Sequence, residues 1–279
     1  AQLVSQVSDA QNNTTGGSNA GDSFDGTNAE HNTLIGNDSG TAITTGDKNS
    51  ALGSRTLITN TTGSHNTALG YEILYANTTA SYNTGIGSGS LRYNTTGANN
   101  TAVGKDALNA NTTGERNTAI GSLALDANTT ATQNTATGYK ALSSNTTGAM
   151  NVAVGDEALF SNTTADSNTG VGNDALYSNT TGANNTAIGA QTLDANTTGG
   201  NNSAVGAYAL GGNTTGQSHV ALGYGALFNN TTASSNTAVG FQALHANTTG
   251  HDLVSVGFET LKNNTTGLYN TAVGFQALE

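Results

Sequence analysis

Apolar residues along this chain are small, sparse and periodic. The segment Asn-Thr-Ala-Val-Gly, or a close variant, marks the period. With its first residue as position 0, it falls at Asn32, Asn49, Asn66, Asn83, Asn100, Asn117, Asn134, Asn151, Asn168, Asn185, Asn202, His219, Asn236, Leu253 and Asn270, always 17 residues apart. Position 4 is glycine in all fifteen copies, and position 8 is leucine in fourteen, Gly40 being the exception. A second block, Asn-Thr-Thr followed by Gly or Ala, fills positions 11 to 14 in thirteen consecutive copies, from Asn60-Thr61-Thr62-Gly63 to Asn264-Thr265-Thr266-Gly267.

Within a repeat, Thr-Ala-Val alternates and is rich in β-branched residues. Positions 1 to 3 therefore predict a short strand, with position 3 (Val103, Ile120, Val154, Val171, Val239) facing inward. The glycine turns the corner. Positions 7 and 8, as in Ala107-Leu108 and Ala158-Leu159, predict a second inward contact from a single helical or 3₁₀ turn. Asn-Thr-Thr-Gly predicts a second strand and corner, with Asn in left-handed backbone and Gly at positive φ.

A repeat of fixed length implies stacking, because a loop free in solvent tolerates insertions. Seventeen residues are too few for the paired helices of α-solenoids, and the Gly and Asn-Thr-Thr blocks would break a helix in every copy. The expected fold is all-β, a parallel β-solenoid (β-roll or β-helix) of about fifteen 17-residue rungs. Rungs ~4.8 Å apart would make a rod ~70 Å long. Like residues then stack into structural ladders, such as Gly104 on Gly121, Leu108 on Leu125 and Asn111 on Asn128, with Thr112 and Thr113 each in a ladder of its own position.

Residues 1–31 depart from the pattern and are read as a degenerate N-terminal capping turn, in which Asn13-Thr14-Thr15-Gly16 preserves the second block; residues 32–279 form the solenoid. At the other end the final repeat carries Phe275 and Leu278 with no cap after them. That predicts either a longer protein or an end covered by another subunit in a head-to-tail assembly.

Composition sharpens this picture by exclusion. Seven Lys and Arg against 18 Asp and Glu give a net charge of −11, which argues against nucleic acid as a partner. No run of about 18 apolar residues is present, so no membrane-spanning helix is expected. There is no cysteine, hence neither a disulfide framework nor a thiolate metal site. The five histidines lack zinc spacing and read as surface residues. Acidic residues such as Glu72, Asp106, Asp156, Glu157, Asp174 and Glu259 fall at positions 5 and 6, outside the corner, where they favour solubility. Gly172-Asn173-Asp174 is weighed as a calcium site and read as a solvated turn. No cofactor, metal or catalytic residue is expected, and no enzyme.

Most aromatic residues fall at position 5 or 9, and Tyr224, Phe241, Phe258 and Phe275 occupy position 5 of consecutive rungs. This column is either a packing ladder or a recognition strip for a surface or glycan ligand. Each Asn-Thr-Thr is formally a glycosylation acceptor, although the turn and ladder it builds already account for its repetition.

At the anchor, as in Asn100-Thr101-Ala102-Val103-Gly104, the sequence resembles the head repeats of YadA-like trimeric autotransporter adhesins and related tail-fibre repeats, over about residues 32–279. The period here is longer by the Asn-Thr-Thr block. The resemblance implies a left-handed parallel β-roll, three chains around one axis, surface display and binding to host or matrix molecules, with no catalytic residues. The expected function is an extracellular or cell-surface structural fibre or shaft that partners with itself as a homo-oligomer or polymer. The alternatives are a trimeric adhesin head and, from the threonine ladders, an ice-binding protein.

Overall fold

A computed structural model describes residues 7–24, 26 and 28–279. The expected capping segment 1–31 thus lies partly outside the described residues, at 1–6, 25 and 27. The chain divides into two compact units, Ala1–Asn134 and Thr135–Glu279. Both are parallel β-solenoids built from the same 17-residue turn.

In the first unit, β1 (Val7–Ser8) lies antiparallel on β2 (Thr14–Gly16), and β2 lies parallel on β3 (Thr33–Ile35). One three-residue strand follows at each 17-residue step to β8 (Thr118–Ile120), every one parallel to its predecessor. The second unit runs from β9 (Thr135–Thr137) to β17 (Thr271–Val273) in the same manner. Pairing is in register, so equivalent repeat positions stack: Thr101 on Thr118, Ala102 on Ala119, Val103 on Ile120.

Hydrogen bonds between rungs continue outside the strands. In the repeat that starts at Asn100, the N–H groups of Thr101, Leu108, Ala110, Thr112 and Thr113 donate to the following rung, at Asn117, Ala124, Asp126 and (twice) Thr129. Those of Gly104, Asp106 and Arg116 donate to the preceding one, at Ile86, Ser88 and Ala98. Nearly the whole turn is therefore tied axially, which is how so little strand satisfies its backbone polar groups.

The corners depend on left-handed backbone, at positions the sequence does not announce. Positions 6, 8 and 16 have positive φ, and the fourteen leucines of position 8 lie between 49° and 57°. That conformation costs an L-residue about 1–2 kcal/mol. Burying a leucine completely contributes about 1.5–3 kcal/mol, enough to offset it. Gly104, at φ 136°, is different in kind. A Cβ there would lie 2.5 Å from the carbonyl oxygen of Gly121, so the close approach of rungs itself demands glycine.

Several local expectations are corrected. Position 2 faces inward, not position 3: Ala102 and Ala153 are fully buried, whereas Ile120 is 42% and Val154 37% exposed. The interior is filled by the position-8 leucines, which reach the inner face of the strand. A Cβ placed at Gly170 meets Leu159 at 3.3 Å, so only a methyl group fits on that side. The two-residue alternation then turns Thr and Val outward. Asn-Thr-Thr-Gly is not a second strand, its Asn does not adopt left-handed backbone, and its Gly, as at Gly114, does not have positive φ. Positions 7 and 8 form a turn without helix. Asn13 begins not the second block but an anchor, since Thr14 pairs with Thr33 and Asn32 Nδ2 donates to Asn13 Oδ1 at 3.0 Å.

Candidate functional site

Two asparagine columns run through the interior. At position 0, the Oδ1 of Asn100 accepts the backbone N–H of Asn117 at 2.9 Å, while its Nδ2 donates to the Gly114 carbonyl at 2.8 Å. At position 11, the Nδ2 of Asn111 donates to Asn94 Oδ1 at 2.7 Å and to the same Gly114 carbonyl at 3.0 Å. Asn128 repeats this on Asn111 at 2.8 Å. One carbonyl per rung thus receives both amides. A buried amide is tolerated only when satisfied, and here every copy satisfies its neighbour.

Of the residues singled out in the sequence, Leu108, Leu125, Asn111 and Asn128 are fully buried. Thr112 is half-buried, its Oγ1 donating to the Thr129 carbonyl at 3.0 Å, and Thr113 is exposed. The threonines therefore show a single-file exposed column at position 13. Nδ2 of Asn111, the atom glycosylation would modify, is buried and engaged.

His219 corrects the surface reading of the histidines. It occupies position 0 and is buried. Its backbone N–H donates to Asn202 Oδ1 at 3.0 Å, and its Nε2 meets the Ala233 carbonyl at 2.7 Å. Its Nδ1 accepts the Asn236 N–H at 3.2 Å. The imidazole thereby copies both roles of the asparagine amide, which fixes the proton on Nε2. Burial pushes its pKa down to about 4.

Glu72 also departs from expectation. Instead of standing in solvent it is buried, pairing with Arg55 at 2.5 Å and Arg92 at 2.6 Å. Arg55 in turn lies 4.9 Å over the Tyr75 ring. Around Gly172-Asn173-Asp174, the Asn173 amide donates to the Asp156 carbonyl at 3.4 Å. Among the described residues no cluster of three or more His, Asp or Glu side chains is arranged to hold a metal ion. Nor is any helix among them long and apolar enough to cross a membrane.

Two surfaces remain. In each unit the outward residues of position 3 form a column of exposed Leu, Ile and Val, including Leu52, Leu69 and Ile120 in the first and Val154, Ile188, Val205 and Leu222 in the second. The position-5 aromatics stack: Tyr224 on Phe241 with centroids 5.6 Å apart, Phe241 on Phe258 at 5.2 Å, Phe258 on Phe275 at 5.3 Å. All four are exposed. Beside Tyr224, sequence reasoning missed a pocket of about 220 Å³ lined by Tyr208, Tyr224, Gly225, Phe228, Gln242 and His245. The sequence shows only half of its signal, a glycine at Gly225 in the position-6 column between Tyr208 and Gln242.

Comparison with protein-family models, with curated proteins and with solved structures finds no match to this chain.

Proposed function

We propose that the protein is an extracellular structural fibre or shaft component that associates with copies of itself. The observation that carries this reading is where the near-invariant positions go. Positions 0, 2, 4, 8, 11 and 14 are consumed by stacking one rung on the next, and the variable positions 5, 6, 9, 15 and 16 carry most of the outward side chains. A chain most of whose recurrent residues serve its own stacking is suited to spanning distance and bearing load. Self-association is supported by the exposed position-3 column, since contiguous apolar surface in register favours a second copy of the same surface. The resemblance to adhesin head repeats points the same way.

The test is light scattering with electron microscopy on one purified sample. Discrete oligomeric rods or open filaments are expected. Val154→Lys with Ile188→Lys, on the exposed face, should shift them toward monomer while leaving the thermal unfolding of the monomer in place. A monomer at every concentration would overturn self-assembly. A second reading, an adhesin module, is favoured by the stacked Tyr224, Phe241, Phe258 and Phe275. A ligand held by that column, with assembly intact, would establish it.

A further inference from the structure

Position 6 lies between the aromatic columns at positions 5 and 9. Gly225 leaves it empty for one rung. The gap is walled on either side by Tyr224 and Phe228, closed at one end by Tyr208 and at the other by Gln242, with His245 stacked on Phe228 at 5.4 Å. Tyr208 meets both walls edge-on, at 72° to Tyr224 and 75° to Phe228. To this open aromatic cleft the structure brings the Gln242 side-chain amide and the His245 imidazole, neither of which makes a hydrogen bond to another described residue. Burial and the charge of Lys262 hold His245 below its ordinary pKa, so it presents one donor and one acceptor at neutral pH.

We propose that the gap at Gly225 is a subsite for one pyranose ring of a neutral glycan. A pyranose has an apolar C–H face and a rim of hydroxyls, and this pocket offers the complement: aromatic surface with unengaged polar groups at its edge. A purely apolar ligand would bury the Gln242 amide and the His245 nitrogens without partners, at a penalty that disfavours it. An anionic sugar finds no unpaired cation among the lining residues, and the nearby Lys262 is paired with Glu259. The volume, about 220 Å³, falls under the roughly 300–1,000 Å³ of drug-sized sites and suits a single ring. The inference does not rest on self-assembly, because the pocket lies within one run of turns of a single chain.

The experiment is ligand-observed saturation-transfer NMR on the full chain, with the methyl β-pyranosides of glucose, galactose and N-acetylglucosamine at millimolar concentration. At least one should bind. Gly225→Gln should weaken binding at least tenfold with the chain still folded at a modestly lower thermal midpoint, because φ 61° strains any side chain there while Gln242 and Gln191 already hold position 6 at φ 53° and 52°. Gln242→Leu should weaken it comparably by removing the amide at similar volume. Phe275→Ala, in the same column but remote from the pocket, should leave it unchanged. No saturation transfer to any of the three sugars would overturn the proposal, as would undiminished binding by Gly225→Gln. Capture of an aromatic peptide such as Tyr-Tyr-amide in place of every sugar would overturn it in favour of a protein ligand.

Discussion

The Nδ1 of His219 accepts the backbone N–H of Asn236 at 3.2 Å, a bond made elsewhere in the same column by an asparagine Oδ1. Only neutral imidazole can accept it. Burial of the ring depresses the histidine pKa from 6.5 to about 4 on folding. A depressed pKa contributes stability that is present above the unfolded value and lost as pH falls. The window is thus from 6.5 down to about 4, and the loss over it is on the order of 3 kcal/mol. His219→Asn restores the repeat. Chemical denaturation of the two proteins across that window should show the wild type losing stability relative to the variant as pH falls. Parallel curves would mean that the His219 pKa is the same in the folded and unfolded states, and that burial does not hold the imidazole neutral.

Leu34 and Gly40 exchange volume. Gly40 is the one position 8 without leucine, and a Cβ built on it would lie 2.6 Å from Leu34 Cδ1. Leu34 itself stands at position 2, where most rungs hold alanine. One leucine thus fills the core of this rung from the strand side. Leu34→Ala should lose about 2–5 kcal/mol by opening a cavity, and Gly40→Leu alone should overpack. The double variant, which recreates the common rung at positions 2 and 8 but still meets Ile43, 2.9 Å from a Cβ at residue 40, should recover part of both losses. A double-mutant cycle in urea checks this, and simple additivity would refute the exchange.

The repeat, the parallel stacking and the asparagine ladders were legible because they depend on period alone, and Asn111 and Asn128 recur at fixed spacing. What failed depended on local backbone. Nothing in Leu108 or Glu72 announces positive φ, since the turn is imposed by the rungs above and below. The inward face of the strand is hard to read because Val103 is the larger apolar residue, yet the interior has room only for a methyl group there, as at Gly170 beside Leu159, and Ala102 is the buried residue. His219 and Leu34 could have been read as exceptions within a column: the period already assigned His219 to a position the other rungs give to asparagine. The pocket at Gly225 needed two columns to be seen side by side, which a one-dimensional pattern does not supply.

Glu72 bridges Arg55 and Arg92 while itself buried. Its partners are 38% and 36% exposed, so solvent screens the pair and rehydrates the cations once the carboxylate is gone. Glu72→Gln should therefore cost about 1–2 kcal/mol, less than an ion pair sealed from water. The wild-type advantage should shrink in high salt. Urea midpoints at low and high ionic strength measure it, and a salt-independent difference would assign the effect to packing instead.

Asn111 offers a test with the opposite pH sign. Replacing it by alanine removes the bonds to Asn94, Gly114 and Asn128, and should cost about 1–3 kcal/mol. Asn111→Asp puts a carboxylate oxygen against the Gly114 carbonyl and Asn94 Oδ1, both acceptors, in a fully buried site. Charge is disfavoured there, so the folded pKa of the new carboxyl should rise above its unfolded value of about 3.9. A raised carboxyl pKa gives stability that is present below the unfolded value and lost as pH climbs through the folded one. Asn111→Asp should therefore be closest to wild type in acid and fall away towards neutral pH. Measured in the His219→Asn background, where the competing histidine slope is removed, stability should decline monotonically from pH ~4 upward. A flat profile would show that the column relaxes to admit water, and that the amide ladder is not the continuous hydrogen-bonded element that ties rung to rung.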